Sequence, residues 1–339
     1  MNTMIPVNPM KKTSYIPCPP TRQTGLSLVE LMIALAIGLV LLLGLSTLMV
    51  QQNNTRNEMD KSSRQIENGR YAMQLLHDDI QLAGFYGEYS PANGIATAIP
   101  NDPCSSTLAD LGWDSTKPQV PVAILGYTGG AGDPTPSKCL ENYLDNTAIL
   151  VIRRASSVIT PAASAALNTI YLQVSSCNTD AAAAPFVLGT SGYNLRQKDC
   201  ATLAVLRPYI VRIYYISSCT VCGSDTIPTL KVREIIGGNA STIPLVEGIQ
   251  NMQFDYGIDT SGDGAPDDYD KDPDAADWPN VMAVRINLLA RNNDPTTNHK
   301  DTKTYGLGGV GTVGPFYDTY KRQAYSQLVR AVNPSGRRE

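Results

Sequence analysis

The sequence predicts an α+β chain: one long N-terminal helix, an irregular region, and then a succession of short strands. Three observations carry this reading. Leu26 to Val50 is an unbroken apolar run with a single charge, Glu30. Gln51 to Ala83 contains no proline and repeats apolar residues at heptad spacing, at Met59, Ile66, Met73 and Ile80. Beyond residue 146, short runs rich in β-branched and aromatic residues recur between turn residues. With 42% hydrophobic residues among 339, the chain can bury a substantial core. Its 27 basic and 31 acidic residues give a net charge of −4 and no polycationic face, which argues against nucleic acid and against strongly acidic substrates as partners.

The apolar run comes first. At ~1.5 Å per residue it is about 37 Å long, enough to cross a bilayer with some tilt. Lys11, Lys12 and Arg22 precede it, with no acidic residue up to Gly25, a bias that keeps the leader cytoplasmic and sends the bulk of the chain outward. A secretory signal has a shorter apolar core followed by a small-residue cleavage site, and no such site follows Val50. A plain anchor accounts for the length but not for Glu30, because a carboxylate inside a spanning helix costs about 2.5–3.5 kcal/mol on insertion scales.

Gly25-Leu26-Ser27-Leu28-Val29-Glu30-Leu31-Met32 resembles the processing site of type IV prepilins and of type II secretion pseudopilins. The resemblance implies that a prepilin peptidase cuts after Gly25 and methylates the new N-terminus at Leu26. Glu30 is then the fifth mature residue, which helps dock an incoming subunit through the mature amine of a neighbour, an ion pair favoured in low dielectric. The chain departs from the family pattern in carrying Leu26 where Phe is usual. Thr47 stands where major pilins often have proline, and that departure and the length point to a minor subunit.

The helix is expected to continue through residues 51–84 as an amphipathic segment. Gly69, Leu76 and Ala83 widen the heptad stripe into a narrow apolar face of the kind that packs on one surface, and Gly84 is a suitable C-cap. Polar residues dominate the first part of this segment, which is expected to lie in solvent before the helix docks on its own β domain. Glu67 to Tyr71 and His77 to Gly84 resemble the W-type minor pilins and the J-type pseudopilins. The organisation is therefore a leader 1–25, a spanning or filament-core helix 26–50, its continuation 51–84, and a periplasmic β-rich domain 85–339. The resemblance makes the whole a pilin-like fold, with the helix packed on an antiparallel sheet domain carrying long disulfide-tied loops.

Within that domain, residues 85 to about 146 are rich in Pro, Gly and Ala and are expected to be a long loop region tied by disulfide rather than by packing. Strands are expected at Ala148–Arg153, Thr169–Val174, Leu203–Ile216, Thr229–Ile236, Ile243–Tyr256, Val281–Ala290 and Gln323–Val332. Cys18 stands apart in the leader. The other six cysteines lie in the exported part, where an even set suggests disulfides made in an oxidising compartment. Sequence leaves their connectivity open; sequential pairing, Cys104 with Cys139, Cys177 with Cys200 and Cys219 with Cys222, is the expectation carried forward.

Three patterns invite chemical readings. Gly309 to Gly314 matches G-x-G-x-x-G, but Pro315 follows and too little chain remains for a βαβ unit, so it reads as a loop. Cys219-Thr220-Val221-Cys222 has the spacing of a redox motif or half a zinc site; no second such pair exists, and neither His77 nor His299 is an obvious ligand, which favours a local structural disulfide. The stretch Asp259 to Asp270 overlays the twelve-residue calcium loop. Asp259, Ser261 and Asp263 take the first, third and fifth positions, Gly264 the turn, Ala265 the carbonyl, and Asp267 and Asp270 the ninth and last. Asp270 reaches less far than the usual Glu, and no helices flank the loop; a solvated acidic turn is the competing reading.

No serine, histidine and carboxylate set stands in motif context, and no phosphate-binding loop is present, so nothing supports an enzyme. The resemblance implies a minor pilin of the W type. Such a protein works with other minor pilins and the major pilin, starts assembly from the inner membrane, and sits at or near the pilus tip; whether the tip displays an adhesin as a further partner the sequence leaves open. A J-type pseudopilin of a type II secretion system uses the same leader and helix, and a membrane-anchored periplasmic enzyme is the alternative from another class.

Overall fold

The computed structural model describes residues 25–92, 94–180 and 184–339. The leader before Gly25, with Lys11, Lys12, Cys18 and Arg22, lies outside the described residues. The chain forms two compact units that divide between Arg56 and Asn57.

Helix α1 runs from Leu28 to Leu82. Ser27 caps its start: the Val29 amide donates to the Ser27 hydroxyl at 3.2 Å, and Glu30 sits in the first turn, where the helix dipole favours an acid. Its apolar first half reaches a mean hydropathy of 2.7 and buries none of its residues, its large side chains being exposed from Leu28 at 75% to Val50 at 60%. A hydrophobic run of this kind is stable only in lipid or against other helices.

In the second unit, α1 buries Gln65, Gly69, Ala72, Met73, Leu76, Asp79 and Ile80. Gly69 is required by contact, since a Cβ there would collide with the Tyr325 ring. Gly84, at φ +70, ends the helix and donates its amide to the Arg153 carbonyl at 2.9 Å.

Two antiparallel sheets receive the helix. The first contains β1 (Ile124–Tyr127), β2 (Ile149–Ala155), β5 (Leu206–Ser217), β6 (Thr229–Ile236) and β7 (Asn239–Glu247), adjacent in that order. A hairpin of β3 (Tyr171–Val174) and β4 (Phe186–Gly189) pairs with the first residues of β5. The second sheet has the order β9-β8-β10-β11, from β8 (Ile249–Ile258), β9 (Asp268–Asp270), β10 (Val281–Arg291) and β11 (Arg322–Arg330). A short helix α2, Val332–Gly336, follows. One continuous core joins helix and sheets, with Leu76, Ile80, Ile152, Tyr215, Met252 and Val284 among its buried residues.

Three expectations are corrected. Ile243–Tyr256 is two strands in different sheets, because Gly248 at φ +76 turns the chain between them; a Cβ there would meet the Arg291 carbonyl at 2.7 Å. Residues 85–146 are packed as well as tied. Leu111, Val120, Val122, Ile124, Leu125 and Leu140 are buried, and Trp113 meets Tyr86 and Phe186 edge-on at 4.8 and 5.0 Å. Apolar residues scattered singly among Pro and Gly have no period to read, yet they converge in space. Met59, expected in the stripe, is 64% exposed. At that turn the helix is held by polar contacts instead: Glu58 Oε2 lies 2.8 Å from Lys321 Nζ and accepts from the Thr296 hydroxyl at 2.9 Å.

The hydrogen bond from Lys321 holds the Glu58 carboxyl at about 2, below its ordinary 4.5, with Lys61 and Thr296 adding to the effect against burial, which raises it. A depressed folded-state value contributes stability that is full above the unfolded value and is lost as pH falls through the folded one. The wild-type chain should therefore lose stability between about pH 5 and 2. Thermal melting across that range should fall less steeply in Glu58→Gln; equal slopes would remove Glu58 from the acid response.

Candidate functional site

Gly25 and Leu26 precede the first turn of α1, and Leu26 is exposed. Glu30, one turn on, is also exposed and has no ion pair among the described residues. The head of the apolar helix thus carries an exposed Gly25-Leu26 pair, the Ser27 cap and one exposed carboxylate, Glu30.

In the second unit the candidate residues are dispersed. In the acidic loop, Asp259 is buried, accepting the amides of Gly262 at 2.6 Å and Gly264 at 2.9 Å, and pairing with Arg338 at 3.0 Å. Burial pushes its carboxyl up, but these two amides and the guanidinium outweigh it and hold the group at about 2. Asp267 accepts the amides of Thr260 and Ser261, and Asp263 that of Ala265. Gly264 at φ +83 makes the turn that the sixth position of a calcium loop requires. Asp263 and Asp270 remain exposed, and among the described residues no three Asp, Glu, His or Cys side chains converge as a metal cage.

Beside this loop lies a cavity of about 400 Å³, walled by Tyr86, Pro121, Trp278, Asp259, Arg337 and Arg338. Its two guanidinium groups are spent within the domain. Arg338 also donates to the Asn280 side chain at 2.6 Å, while Arg337 donates to the Gly84 carbonyl and lies over the Tyr86 ring.

The glycine pattern at 309–314 forms a small hairpin loop. Tyr305–Gly306 pairs with Thr312–Val313, and the Gly309 amide donates to the buried Asp255 carboxylate at 2.7 Å. No helix opens from it. The six cysteines form three disulfides, Cys104–Cys139, Cys177–Cys200 and Cys219–Cys222.

Two polar clusters were not foreseen from sequence. Asp79 on α1 accepts Arg154 at 2.9 Å, Arg212 at 3.0 Å and the Tyr214 hydroxyl at 3.0 Å, clamping the helix to β2 and β5. Arg322, fully buried, pairs with Asp301 at 2.8 Å and Asp318 at 2.5 Å and stacks over Phe316, pinning the 292–321 loop to β11. An acid at the seam of a heptad stripe was the one available signal for the first; the second had none.

Residues 20–46 match the family model of the prokaryotic N-terminal methylation motif, and residues 213–333 match that of Type IV Pilus-assembly protein W. No curated protein and no solved structure matches the chain. The second match runs from the middle of β5 to the start of α2, covering the second sheet and the Arg322 cluster with Asp301 and Asp318. The first covers Gly25, Leu26, Glu30 and most of the apolar half of α1, a helix long and apolar enough to cross a membrane. The two matches and the helix-on-sheet fold support a type IV pilin of the PilW type.

Proposed function

We propose that this chain is a minor pilin, a structural and assembly-priming subunit at or near the tip of a type IV pilus. In this reading prepilin peptidase cleaves after Gly25 and methylates Leu26. The subunit waits in the inner membrane with its C-terminal domain in the periplasm, and it then enters the filament beside other minor pilins and the major pilin. The observation that carries the reading is α1 itself: an exposed apolar half with one carboxylate, continuous with a half buried on the sheets. Such a helix needs partner helices once it leaves lipid, and Glu30 needs a cation once water is excluded. The family matches support a structural role.

Two measurements test it. Intact mass of protein from its native membrane should correspond to a chain starting at methylated Leu26; a form retaining Cys18 refutes the processing. Glu30→Ala should insert and be cleaved normally yet assemble poorly, since removing a charge from the bilayer favours insertion and only a lost partner can explain a defect. Unchanged pilus number in that variant removes the docking role. Pull-down of the membrane complex distinguishes a pilus from a pseudopilus by whether other minor pilins or secretion components are recovered.

The same reading assigns calcium to Asp259–Asp270, favoured by Gly264 in the turn conformation and by oxygens at the required positions. Arg338 holds Asp259 and competes with the metal, and Asp270 is short, so affinity is expected near the extracellular ~10⁻⁴ M range. Calcium above that level should raise the melting temperature, magnesium should not, and Asp263→Ala should abolish the gain. Identical melting with calcium and with chelator leaves the loop as an acidic turn.

A further inference from the structure

The Cys219–Cys222 bridge lies in the turn after β5, next to β6. Of the six bridged cysteines, only Cys222 is exposed; the others are buried or half-buried. Lys231, on β6 opposite Tyr215, is 7% exposed, and its ammonium lies 3.7 Å from Cys222 Sγ. Among the described residues it has no carboxylate at ion-pair distance. The neighbouring acid, Asp225, spends its oxygens on the amides of Thr220, Val221 and Ile227 at 2.7 to 3.0 Å. A buried ammonium thus faces a disulfide sulfur, which is a weak acceptor. Were that sulfur a thiolate, the same geometry would be an ion pair in a low-dielectric setting.

We propose that Cys219–Cys222 is an exchangeable disulfide, with Lys231 as the residue that stabilises its reduced form and an extracytoplasmic dithiol as its redox partner. The partner's thiolate attacks the Sγ of Cys222, the exposed residue of the pair, and forms a mixed disulfide. The Cys219–Cys222 bond breaks with its electron pair on Cys219 Sγ, which the Ser217 and Ser218 hydroxyls face at 3.8 Å. The partner's second thiolate then attacks its own bridged sulfur, releasing Cys222 as a thiolate beside Lys231. Two electrons pass to this chain and the dithiol leaves as a disulfide. One of its two protons ends on Cys219, and the other goes to solvent. The ammonium lowers the free energy of the reduced state only, so it makes this bridge more reducible than the other two. A separation of 3 residues also constrains the unfolded chain far less than separations of 23 and 35.

The test uses the detergent-solubilised full chain, equilibrated in graded ratios of reduced to oxidised dithiothreitol, then alkylated and mapped by mass. Cys219–Cys222 should open at a ratio about tenfold lower than either other bridge. Lys231→Met should move its midpoint about tenfold toward more reducing conditions, and Lys231→Arg should restore it. Opening of all three bridges together, or an unchanged midpoint in Lys231→Met, overturns the proposal. A second readout avoids mutation: after selective reduction of the wild type, iodoacetamide at pH 6 should modify Cys222 about tenfold faster than Cys219. Equal rates overturn it independently.

Discussion

Replacing Asp79 by alanine should destabilise the folded chain by about 3–5 kcal/mol, the usual cost of breaking a buried ion pair by removing one partner. Asp79 is 2% exposed and, among the described residues, is the only acid that answers Arg154, whose side chain is itself 9% exposed. Arg212 keeps Glu234 at 2.6 Å when Asp79 is lost, so the penalty falls on Arg154 and on the Tyr214 hydroxyl. The clamp joins α1 to two strands of the first sheet, and the loss should appear as earlier release of the helix, seen as faster hydrogen exchange around residues 72–82. Pairing Asp79→Leu with Arg154→Met should recover much of the loss, because it removes the stranded cation together with the acid. Thermal melting of the detergent-solubilised chain checks both. A single-variant effect below about 1 kcal/mol would mean that apolar packing alone seats the helix.

The double variant Cys104→Ser/Cys139→Ser should cost about 3–4 kcal/mol, from a loop closed over a sequence separation of 35. In the chain-entropy account the bridge acts mainly on the unfolded state, so the variant should keep its native fold while melting earlier. The packed aromatic group of Tyr86, Trp113 and Phe186 would still hold residues 85–146 in place. Near-ultraviolet circular dichroism should therefore stay close to wild type below the transition. Loss of that signal at low temperature would show that the bridge, not the packing, organises the region.

Much of the fold was legible because it rests on local signals. Helix α1 announces itself through an apolar run, a proline-free stretch and Gly84 at its end, all readable within a few turns. The strands β2, β3, β5, β6, β10 and β11 each coincide with an apolar or alternating run. The break at Gly248 was missed because strand residues lie on both sides of it and only the positive φ, imposed by the nearby Arg291 carbonyl, separates them. The strands Phe186–Gly189 and Asp268–Asp270 are too short to show a period, and they are strands because a neighbour pairs with them.

For the site the division is sharper. Gly25, Leu26 and Glu30 stand out in the sequence because the motif they belong to is a run of consecutive residues at the head of the helix, and residues 20–46 match the N-terminal methylation motif. Asp79 with Arg154 and Arg212, Asp259 with Arg338, and Lys231 with Cys222 bring together residues far apart or on different strands. The sequence by itself determined a long apolar helix carrying the N-terminal methylation motif, a domain whose six cysteines pair, and the positions of most strands. Only the tertiary structure decided which charges are buried and what each one faces. The reason is that an ion pair or a perturbed sulfur is defined by distances of about 3 to 4 Å in low dielectric, and those distances exist only after the sheets have packed.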